Sequence, residues 1–474
     1  MSAVLAPDIC VVGGGASGVS LALEAAAFGL YVVLIEKNAL GGARLTHSIP
    51  RTALIVASRA AAAETGADVT PLWPAADFSQ ARAHLALAAK AIAPNYTQTR
   101  LEAMNVQVIR AAGRFTSPDT CEANGNKIKA RRFIVATGAV GKSVPIPGLD
   151  LVRPLDYASL CALDHPPEQL IVIGADPDGL ALAQAMRRFG SDVFILSATK
   201  AFSQQDEELA APVRARFARD GIVLHEGIKV SRIEPRGNGV RVFIAAAGHE
   251  KSITGSHLLI AAGRAPVVEG LGLAEAKVRY TADGIETGTG LTTSNRRIHA
   301  IGSVTKGGQY DGSAEQHAGL VIRFILGLPG GHSRTKAASR VILTSPPIAS
   351  TGLSEAQARE AYRQIHVLRW PFAETDRGQI EQRPCGHVKF IISRRGLILG
   401  AGITGWGAEE LINLCALAIS KGMTTGDIAS IMVPYPALSD AVRRACMTFP
   451  ANRLSRSLSQ RALDVLRWFG QGLP

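Results

Sequence analysis

Asp8-Ile-Cys-Val-Val-Gly13-Gly-Gly15-Ala-Ser-Gly18 is the stretch that decides the fold. Its apolar half predicts a buried strand, and a helix over Leu21–Phe28 is predicted after the glycine turn. In such a turn the first glycine makes the bend. The second lets a diphosphate approach the backbone, and the third lets helix and strand pack. The stretch therefore predicts a dinucleotide-binding β-α-β unit.

A second predicted strand, Tyr31–Ile35, follows the helix and ends at Glu36. A diphosphate is expected at the helix N-terminus, where free N–H groups and the helix dipole favour anions. Glu36 is expected to accept a hydrogen bond from a ribose hydroxyl. A glycine turn without a ligand is the alternative, but the flanking strand, helix and acid together favour binding.

The same pattern returns between residues 169 and 196, with one change. The turn is Gly174-Ala-Asp176-Pro-Asp-Gly179, so Asp176 replaces the second glycine. Its side chain is expected to crowd and repel a diphosphate. Ser197 stands where an acid would select NAD, with Lys200 nearby. A second Rossmann-like unit is therefore predicted, with binding and absence of NAD(P) both open.

Short apolar strands that close on a small residue and glycine are expected where the chain crosses between units. Ile134–Gly138 and Leu259–Arg264 have this form, and Ile298–Ser303 is a third. From Val341 onward, alternating strands and a helix indicate a separate α/β module. The predicted boundaries are 1–150 and 264–335 for the first nucleotide domain, 151–263 for the second, 336–450 for the last module and 451–474 for a tail.

Composition excludes several classes of protein. A chain of 474 residues is too long for one core, and 47% hydrophobic with 19% charged residues indicates a folded α/β protein. The net charge of +12 suits anionic dinucleotides, and no nucleic-acid motif accompanies it. No signal peptide or membrane-length apolar stretch is evident, so a cytoplasmic protein is expected. The cysteines lack metal-ligand or redox-motif spacing, so free thiols and no metal site are predicted.

The tail carries apolar residues at helical spacing between residues 454 and 469. Arginines surround them, at Arg453, Arg456, Arg461 and Arg467. A basic amphipathic helix can lie on an anionic membrane, which makes peripheral membrane contact one reading. Packing against its own protein is the favoured reading.

Two nucleotide units, small-residue crossovers and a final α/β module in this order resemble the class I pyridine nucleotide-disulfide oxidoreductases. That family includes dihydrolipoamide dehydrogenase, glutathione reductase and mercuric reductase. The resemblance covers about residues 8–450, through Gly13–Gly18, Glu36, Gly41-Gly42, Ala136–Gly138, Ala262–Arg264, Ile301-Gly302, Pro347–Glu355 and Gly405–Asn413. Closest to the mercuric reductase branch are Ile92-Ala-Pro94, Phe115-Thr-Ser and Pro434-Tyr435-Pro436.

The resemblance implies FAD in the first unit, NAD(P)H in the second, and a homodimer formed through a C-terminal dimerisation domain. The cofactor-binding residues that it implies in the first unit are Gly13, Gly15, Ala16, Ser17, Gly18, Glu36, Lys37, Gly42, Ala43, Thr137, Gly138, Gly302 and Ser303. Those in the second unit and its crossover are Gly174, Gly179, Gly263 and Arg264. Ser303 replaces the family's ribitol-binding aspartate, and serine can still make one hydrogen bond.

The redox segment, Gly41–Thr52, departs from the family pattern of C-x4-C followed by Ile-Pro-Ser-Lys. Arg44 takes the place of the first cysteine, the segment is one residue shorter, and Ser48 falls where the flavin-contacting cysteine would be. Thr52 replaces the lysine. A disulfide relay needs a thiolate and a second sulfur, and serine supplies neither at neutral pH. Dithiol chemistry at this segment is therefore excluded on chemical grounds, unless Cys10 or another thiol is brought there. Cys10 lies in the first strand and is expected to be buried in the core.

Four residues remain as catalytic candidates. Tyr435 holds the place of the family's catalytic histidine, and Asp440 that of its glutamate. With a pKa near ~10, tyrosine is a poor base but can donate a proton, and burial at a dimer interface is the alternative role. His47 is the titratable group left in the redox segment, beside Ser48, and could donate protons next to a flavin. A solvent-facing loop histidine is the alternative.

The leading hypothesis is an FAD-dependent NAD(P)H oxidoreductase. Its flavin would pass electrons directly to a small non-disulfide acceptor, such as a quinone, oxygen or another nicotinamide. The rival is an FAD-binding pseudoenzyme that keeps the dimeric fold, because several family positions are altered together. A mercuric or dithiol reductase is the least favoured reading, because the thiols are missing.

Overall fold

A computed structural model describes residues 4–61, 77–246, 249–308, 313–330 and 338–449, with Arg461, Asp464, Val465, Arg467 and Trp468. Its strands are, in chain order, β1 (Val4–Leu5), β2 (Ile9–Val12), β3 (Val32–Ile35), β4 (Val106–Ile109), β5 (Arg114–Ser117), β6 (Thr120–Ala123), β7 (Asn126–Ile128), β8 (Arg132–Val135), β9 (Ala139–Gly141), β10 (Gln169–Ile173), β11 (Asp192–Ser197), β12 (Val223–Glu226), β13 (Lys229–Arg236), β14 (Gly239–Ala246), β15 (His249–Gly255), β16 (His257–Ile260), β17 (Arg264–Pro266), β18 (Tyr280–Thr281), β19 (Gly284–Ile285), β20 (Ile298–Ala300), β21 (Arg340–Ile342), β22 (Ile348–Gly352), β23 (Ile365–Pro371), β24 (Gly386–Ser393) and β25 (Ile398–Gly405).

The α-helices are α1 (Ala16–Ala27), α2 (Ile49–Ala61), α3 (Phe78–Ile92), α4 (Gln98–Ala103), α5 (Tyr157–Cys161), α6 (Pro177–Arg188), α7 (Glu207–Asp220), α8 (Ser313–Ile325), α9 (Glu355–Ala361), α10 (Asp376–Ile380), α11 (Ala408–Lys421), α12 (Thr425–Ala429) and α13 (Asp440–Met447). Within the described ranges, no helix combines the length and apolar character that a membrane crossing requires. The described tail residues are helical, and the rest of the predicted amphipathic tail lies outside the described residues.

The first nucleotide unit is a five-stranded parallel sheet in the order β20-β8-β2-β3-β4. Its central strands are buried at nearly every position, because packed side chains cover both faces of the sheet. β20 pairs with β8, so the chain returns to this sheet after the second unit, as the third apolar strand predicted. The carboxyl ends of β2, β8 and β20 lie at one edge of the sheet, where the turns of the candidate site follow them.

The second nucleotide unit is a four-stranded parallel sheet in the order β12-β11-β10-β16. β10 carries the altered glycine turn at its carboxyl end, and α6 follows the turn. The antiparallel strands β13, β14 and β15 form a separate sheet inserted between β12 and β16. The predicted fold class, two Rossmann-like units and a C-terminal α/β domain, is confirmed.

The chain divides into two compact units. The first contains Met1–Ala201 and Phe217–Thr335, and therefore both nucleotide sheets. The second contains Phe202–Arg216 and Lys336–Pro474. The segment 202–216 groups with the second unit, although the predicted boundaries place it in the second nucleotide domain. Those boundaries stay predictions, and the ones at 335 and 450 lie outside the described residues.

The second unit is built on a five-stranded antiparallel sheet in the order β21-β22-β25-β24-β23. α11 packs against β22 and β25, and α13 packs against β23 and β24. The apolar faces of these elements form one core, in which Phe372, Phe390 and Ile403 are almost completely buried. This arrangement matches the separate α/β module expected from residue 341 onward.

A buried lysine ties the segment 202–216 to this sheet. The Lys389 ammonium, on β24, lies 2.7 Å from Asp206, 2.9 Å from Glu208 and 2.8 Å from Glu355. Arg369 adds a second cation that donates two hydrogen bonds to Glu208. The hydrogen bonds from Arg369 and Lys389 lower the pKa of Glu208 to about 2, although its partial burial works to raise it. Glu208 therefore stays charged beside Lys389 at neutral pH.

Two further contacts position the same segment. The Thr404 hydroxyl donates a hydrogen bond of 2.8 Å to the carbonyl oxygen of Leu209. Gly402 leaves room for the Leu209 side chain, since a Cβ at Gly402 would lie 2.2 Å from its Cδ1. The start of α7 is therefore fixed to β25 by packing as well as by charge.

Candidate functional site

The turn after β2 contains three spaced glycines, and the structure gives a different reason for the lack of a side chain at each. Gly13 has a φ of 112°, and a Cβ there would lie 2.4 Å from the Ala136 carbonyl oxygen. A Cβ at Gly18 would lie 1.9 Å from the Gly13 carbonyl oxygen, so helix and turn could not pack. A Cβ at Gly15 would meet no described atom within 4 Å. Packing within the chain explains Gly13 and Gly18, whereas the open space at Gly15 fits the approach of a ligand.

The N-terminus of α1 faces this open space without a capping side chain. Gly15 is the N-cap residue, and among the described residues no side chain caps α1 and no acid stands in its first turn. The first N–H groups of a helix have no partners within the helix and carry the positive end of its dipole. Ala16 and Ser17, both half-buried, form the start of α1. This helix end suits a diphosphate.

The Glu36 carboxylate lies at the same turn and is held by backbone groups. The Gly14 N–H donates to its Oε2 and the Asn38 N–H to its Oε1, each over 2.6 Å. These bonds fix the side chain and leave lone pairs on both oxygens for ribose hydroxyls. Lys37, the next residue, is exposed.

Gly41 and Gly42 anchor the redox segment to the nucleotide turn. The Gly41 N–H donates a hydrogen bond of 2.8 Å to the Gly14 carbonyl oxygen. A Cβ at Gly42 would lie 3.3 Å from the Cα of Gly15. Ala43 is then the N-cap of the helical turn that carries two of the catalytic candidates. The approach of these glycines therefore positions the redox segment beside the open space at Gly15.

The turn after β20 lies against the first turn of α1. A Cβ at Gly302, which has a φ of 70°, would lie 2.4 Å from the Ser17 hydroxyl. The buried side chain of His317, on α8, accepts a hydrogen bond of 3.1 Å from the Gly302 N–H at Nδ1. Burial lowers the pKa of His317, which keeps its imidazole neutral and able to accept. His317 thus positions the Gly302-Ser303 turn, a role that no local sequence signal indicated.

The residues that follow β8, Thr137 and Gly138, are held by β17 and the residue after it. The Thr137 hydroxyl donates a hydrogen bond of 2.7 Å to the Val267 carbonyl oxygen. Gly138 has a φ of 73° with open space at its Cβ position. The Arg264 guanidinium donates to the Ala139 carbonyl oxygen over 2.9 Å, so this side chain stabilises the crossover.

The redox segment forms a π-helical turn, Arg44–Ser48, that continues directly into α2. Turns of this type are rare and occur frequently at functional sites. His47 and Ser48 are both half-buried on it, and the His47 Nδ1 lies 2.6 Å from the Thr46 hydroxyl. Although partial burial works to raise the pKa of Asp156, hydrogen bonds from Ser159 and the charge of His47 lower it. His47 therefore interacts electrostatically with the Asp156 carboxylate.

The thiols lie outside the redox segment. Arg44, at the first family cysteine position, donates a hydrogen bond of 3.3 Å to the Tyr96 hydroxyl. Cys10 is completely buried in β2, and burial raises its pKa well above the usual value, as its assignment to core packing predicted. Burial also raises the pKa to about 12 for Cys121, Cys161 and Cys446. Thiols in such surroundings form too little thiolate to act as nucleophiles.

The two C-terminal candidates do not pair with each other in the described structure. Tyr435 has 79% of its surface exposed, and its hydroxyl bonds to Asp376, which raises its pKa. Asp440 binds Arg443 at 2.7 Å and Arg444 at 2.5 Å. The assignment of these residues to the positions of a histidine–glutamate pair stays a prediction, and within the described chain the Asp440 carboxylate pairs with two arginines.

In the second unit, Asp176 occupies the position of the middle glycine. Its Oδ1 accepts a hydrogen bond of 2.7 Å from the Gly179 N–H, which makes it the N-cap of α6. Its Oδ2 accepts from the Tyr157 hydroxyl at 2.5 Å and from the Gly263 N–H at 2.9 Å. Gly179 and Gly263 were predicted to bind NAD(P)H, but their N–H groups bond to this carboxylate instead. The residues present therefore fit FAD in the first unit and do not fit a dinucleotide diphosphate in the second.

Profiles of known families match nearly the whole chain. The pyridine nucleotide-disulphide oxidoreductase family matches residues 7–319. The dimerisation domain of the same enzymes matches residues 338–446, which supports a homodimer.

Individual relatives agree with this assignment. A mercuric reductase of Bacillus cereus is 30% identical over 453 residues, which cover 93% of this chain and 71% of that protein. Dihydrolipoyl dehydrogenase 3 of Pseudomonas aeruginosa is 29% identical over 457 residues, covering 93% of this chain and 97% of that protein.

Solved structures share the fold. A Cu(II) complex of the HOCl-induced flavoprotein disulfide reductase RclA from Escherichia coli has a TM-score of 0.82 and 24% identity, and covers 93% of this chain and 100% of that chain. LpdA from Mycobacterium tuberculosis has a TM-score of 0.84 and 23% identity, with 94% and 99% covered. The chain thus belongs to the pyridine nucleotide-disulphide oxidoreductase family, whose members are FAD-dependent oxidoreductases.

Proposed function

We propose that the chain binds FAD in its first unit. The observation that carries this proposal is the uncapped N-terminus of α1 beside the open space at Gly15, with Glu36 fixed next to it. The residues proposed to hold the cofactor are Gly13, Gly15, Ala16, Ser17, Gly18, Glu36, Lys37, Gly42, Ala43, Thr137, Gly138, Gly302 and Ser303.

We further propose an oxidoreductase whose acceptor is a small molecule other than a disulfide, such as a quinone or oxygen. Bound FAD would supply the electron-transfer chemistry, and the chain would orient it and control protons. Arg44 and Ser48 stand at the family's cysteine positions, and serine cannot carry electrons as a thiol pair does. NAD(P)H is not included as the donor, because Asp176 fills the turn of the second unit.

His47 is proposed as the residue that delivers or accepts a proton beside the flavin. Its imidazole lies on the π-helical turn, which follows the glycines that contact Gly15. The charge of His47 helps to lower the pKa of the Asp156 carboxylate, so the two groups interact. Ser48 offers a hydroxyl on the same turn. Tyr435 and Asp440 are not included, because their side chains are engaged with other residues.

The acceptor proposal is tested with holoprotein that has been reduced anaerobically by dithionite. Re-oxidation by a soluble quinone, followed by flavin absorbance, is expected to be faster than that of free reduced FAD. The rate should be unchanged after the thiols are alkylated with iodoacetamide, because no thiol takes part. Loss of the rate on alkylation would instead assign the activity to a cysteine.

The second candidate function is an FAD-binding dimer without turnover. The Asp176 carboxylate, which fills the turn of the second unit, favours this candidate. So does the lack of a described bond between the side chains of Tyr435 and Asp440. The same experiment distinguishes the two candidates, because protein-bound flavin that reacts no faster than free flavin would support this reading. Peripheral membrane contact through residues 451–474 stays a prediction.

Replacing Glu36 by alanine is expected to weaken FAD binding by about 10- to 100-fold. A hydrogen bond to a charged group contributes about 1.5–3 kcal/mol, and Glu36 is the charged acceptor proposed for the ribose. The measurement is quenching of flavin fluorescence as FAD is added to the apoprotein. Glu102→Ala, which removes an exposed carboxylate on α4 outside the proposed site, is the control and should change the Kd less than threefold. Equal losses in both variants would contradict the role of Glu36.

A further inference from the structure

The turns of the two nucleotide units share their first and last glycines and differ at the middle one. A Cβ at Gly174 would lie 2.1 Å from the Ala261 carbonyl oxygen, just as one at Gly13 would lie 2.4 Å from that of Ala136. The middle position is Gly15 in the first unit and Asp176 in the second. The second unit therefore keeps the backbone of a dinucleotide site, with a side chain where the ligand would approach.

The Asp176 carboxylate is fully engaged in this place. Three donors surround it, namely the N–H groups of Gly179 and Gly263 and the Tyr157 hydroxyl. Each is a donor that a bound diphosphate oxygen would have to compete for. Removing one partner of such a partly buried, charged network leaves a polar group unsatisfied, which is unfavourable. A ligand diphosphate would thus have to displace a bonded anion.

An ion pair at the same helix end leaves Arg51 already engaged by an acid. Asp178 stands in the first turn of α6, whereas the described first turn of α1 contains no acid. Arg51, on α2 and almost completely buried, forms an ion pair with Asp178. This pair links α2 to the first turn of α6. Asp178 balances the positive charge of Arg51, so that charge is not available to an anionic ligand.

We infer that Asp176 is a specificity-determining residue that replaces the diphosphate of NAD(P)H and excludes both nicotinamide dinucleotides from the second unit. The electron donor of the proposed oxidoreductase then belongs to another chemical class. This last consequence rests on the proposed function, while the exclusion itself does not.

The test is direct binding of NADH and of NADPH to the full-length protein, followed by nicotinamide fluorescence. Wild-type protein is expected to show no saturable binding up to about 1 mM. Asp176→Gly, which restores the glycine, is expected to bind at least one of them below about 100 µM, a gain of at least tenfold. Asp176→Asn keeps the volume without the charge and should fall between the two.

Asp77→Gly is the matched control. Asp77 is also an N-cap aspartate, accepting from the Ser79 N–H at the start of α3, but no glycine turn precedes it. This variant should lose a similar cap and gain no binding. The FAD content of every sample is measured in parallel, so a failure of FAD binding is seen separately from a failure of the exclusion.

Two outcomes would overturn the inference. The first is saturable binding of NADH or NADPH to the wild-type protein below about 1 mM. The second is an Asp176→Gly protein that is folded, as its near-UV circular dichroism shows, yet binds neither dinucleotide better than wild type. The first outcome would mean that the Asp176 side chain does not prevent dinucleotide binding. The second would mean that another feature of the second unit prevents it.

Discussion

Placing an aspartate at Gly15 is expected to yield a folded protein that no longer holds FAD. The substitution copies into the first unit the residue that the second unit carries as Asp176. Gly15 has a φ of −71° and an open Cβ position, so an aspartate fits there without backbone strain. Its carboxylate would cap α1 and stand where the diphosphate is proposed to bind.

The magnitude follows from like-charge repulsion. Two unit charges about 4 Å apart near a protein surface interact by about 4 kcal/mol, which corresponds to a change of about 1000-fold in Kd. Apoprotein stability should stay equal or rise slightly, since aspartate is a better N-cap than glycine. The measurement is FAD titration of the apoprotein, with urea unfolding in parallel.

Gly15→Asn is the matched neutral control, because it has almost the same volume and the same capping ability. It should lose less affinity than Gly15→Asp, and the difference between them isolates the charge. A Gly15→Asp protein that purifies yellow with its flavin fully bound would rule out this helix end as the diphosphate site.

The second large effect is expected at Lys389. Replacing it by methionine keeps most of the volume but leaves Asp206, Glu208 and Glu355 close together without their central cation. Breaking a buried ion pair by removing one partner costs about 3–5 kcal/mol. The free energy of unfolding of the second unit should fall by about that amount, with loosening of the segment 202–216.

The measurement is urea unfolding followed by tryptophan fluorescence, since Trp370 and Trp406 both belong to the second unit. Arg359→Ala is the control, because Arg359 binds Glu355 from an exposed position one helical turn away. Exposed pairs of this kind contribute about 0.3–0.5 kcal/mol. If the two variants lost the same small amount, the buried cluster would not be what fixes the segment.

Local constraints made the first unit predictable. A strand, three spaced glycines, a helix and an acid lie within 29 residues, and the clashes at Gly13 and Gly18 explain why the pattern is so specific. The repeated glycine pattern predicted two nucleotide units in succession. The third apolar strand, β20, predicted that the chain returns to the first unit. The assignment of Cys10 to core packing was confirmed for the same reason, since β2 is a central strand.

Contacts between distant residues could not be predicted. The sequence showed that Asp176 would crowd a diphosphate, but not that Tyr157 and Gly263, 19 and 87 positions away, would donate to it. The bond between Lys389 and Asp206 spans 183 positions. No local pattern marks such pairs, because both partners are ordinary polar residues until the sheets bring them together.

The most direct test of the bare helix end as a flavin site is the amount of FAD released by heat from purified full-length protein. The structure predicts a yellow protein that releases one FAD per chain, and apoprotein that regains it when FAD is added. A colourless protein that takes up no added FAD would contradict the site at Gly15 and Glu36, and with it the proposed oxidoreductase activity.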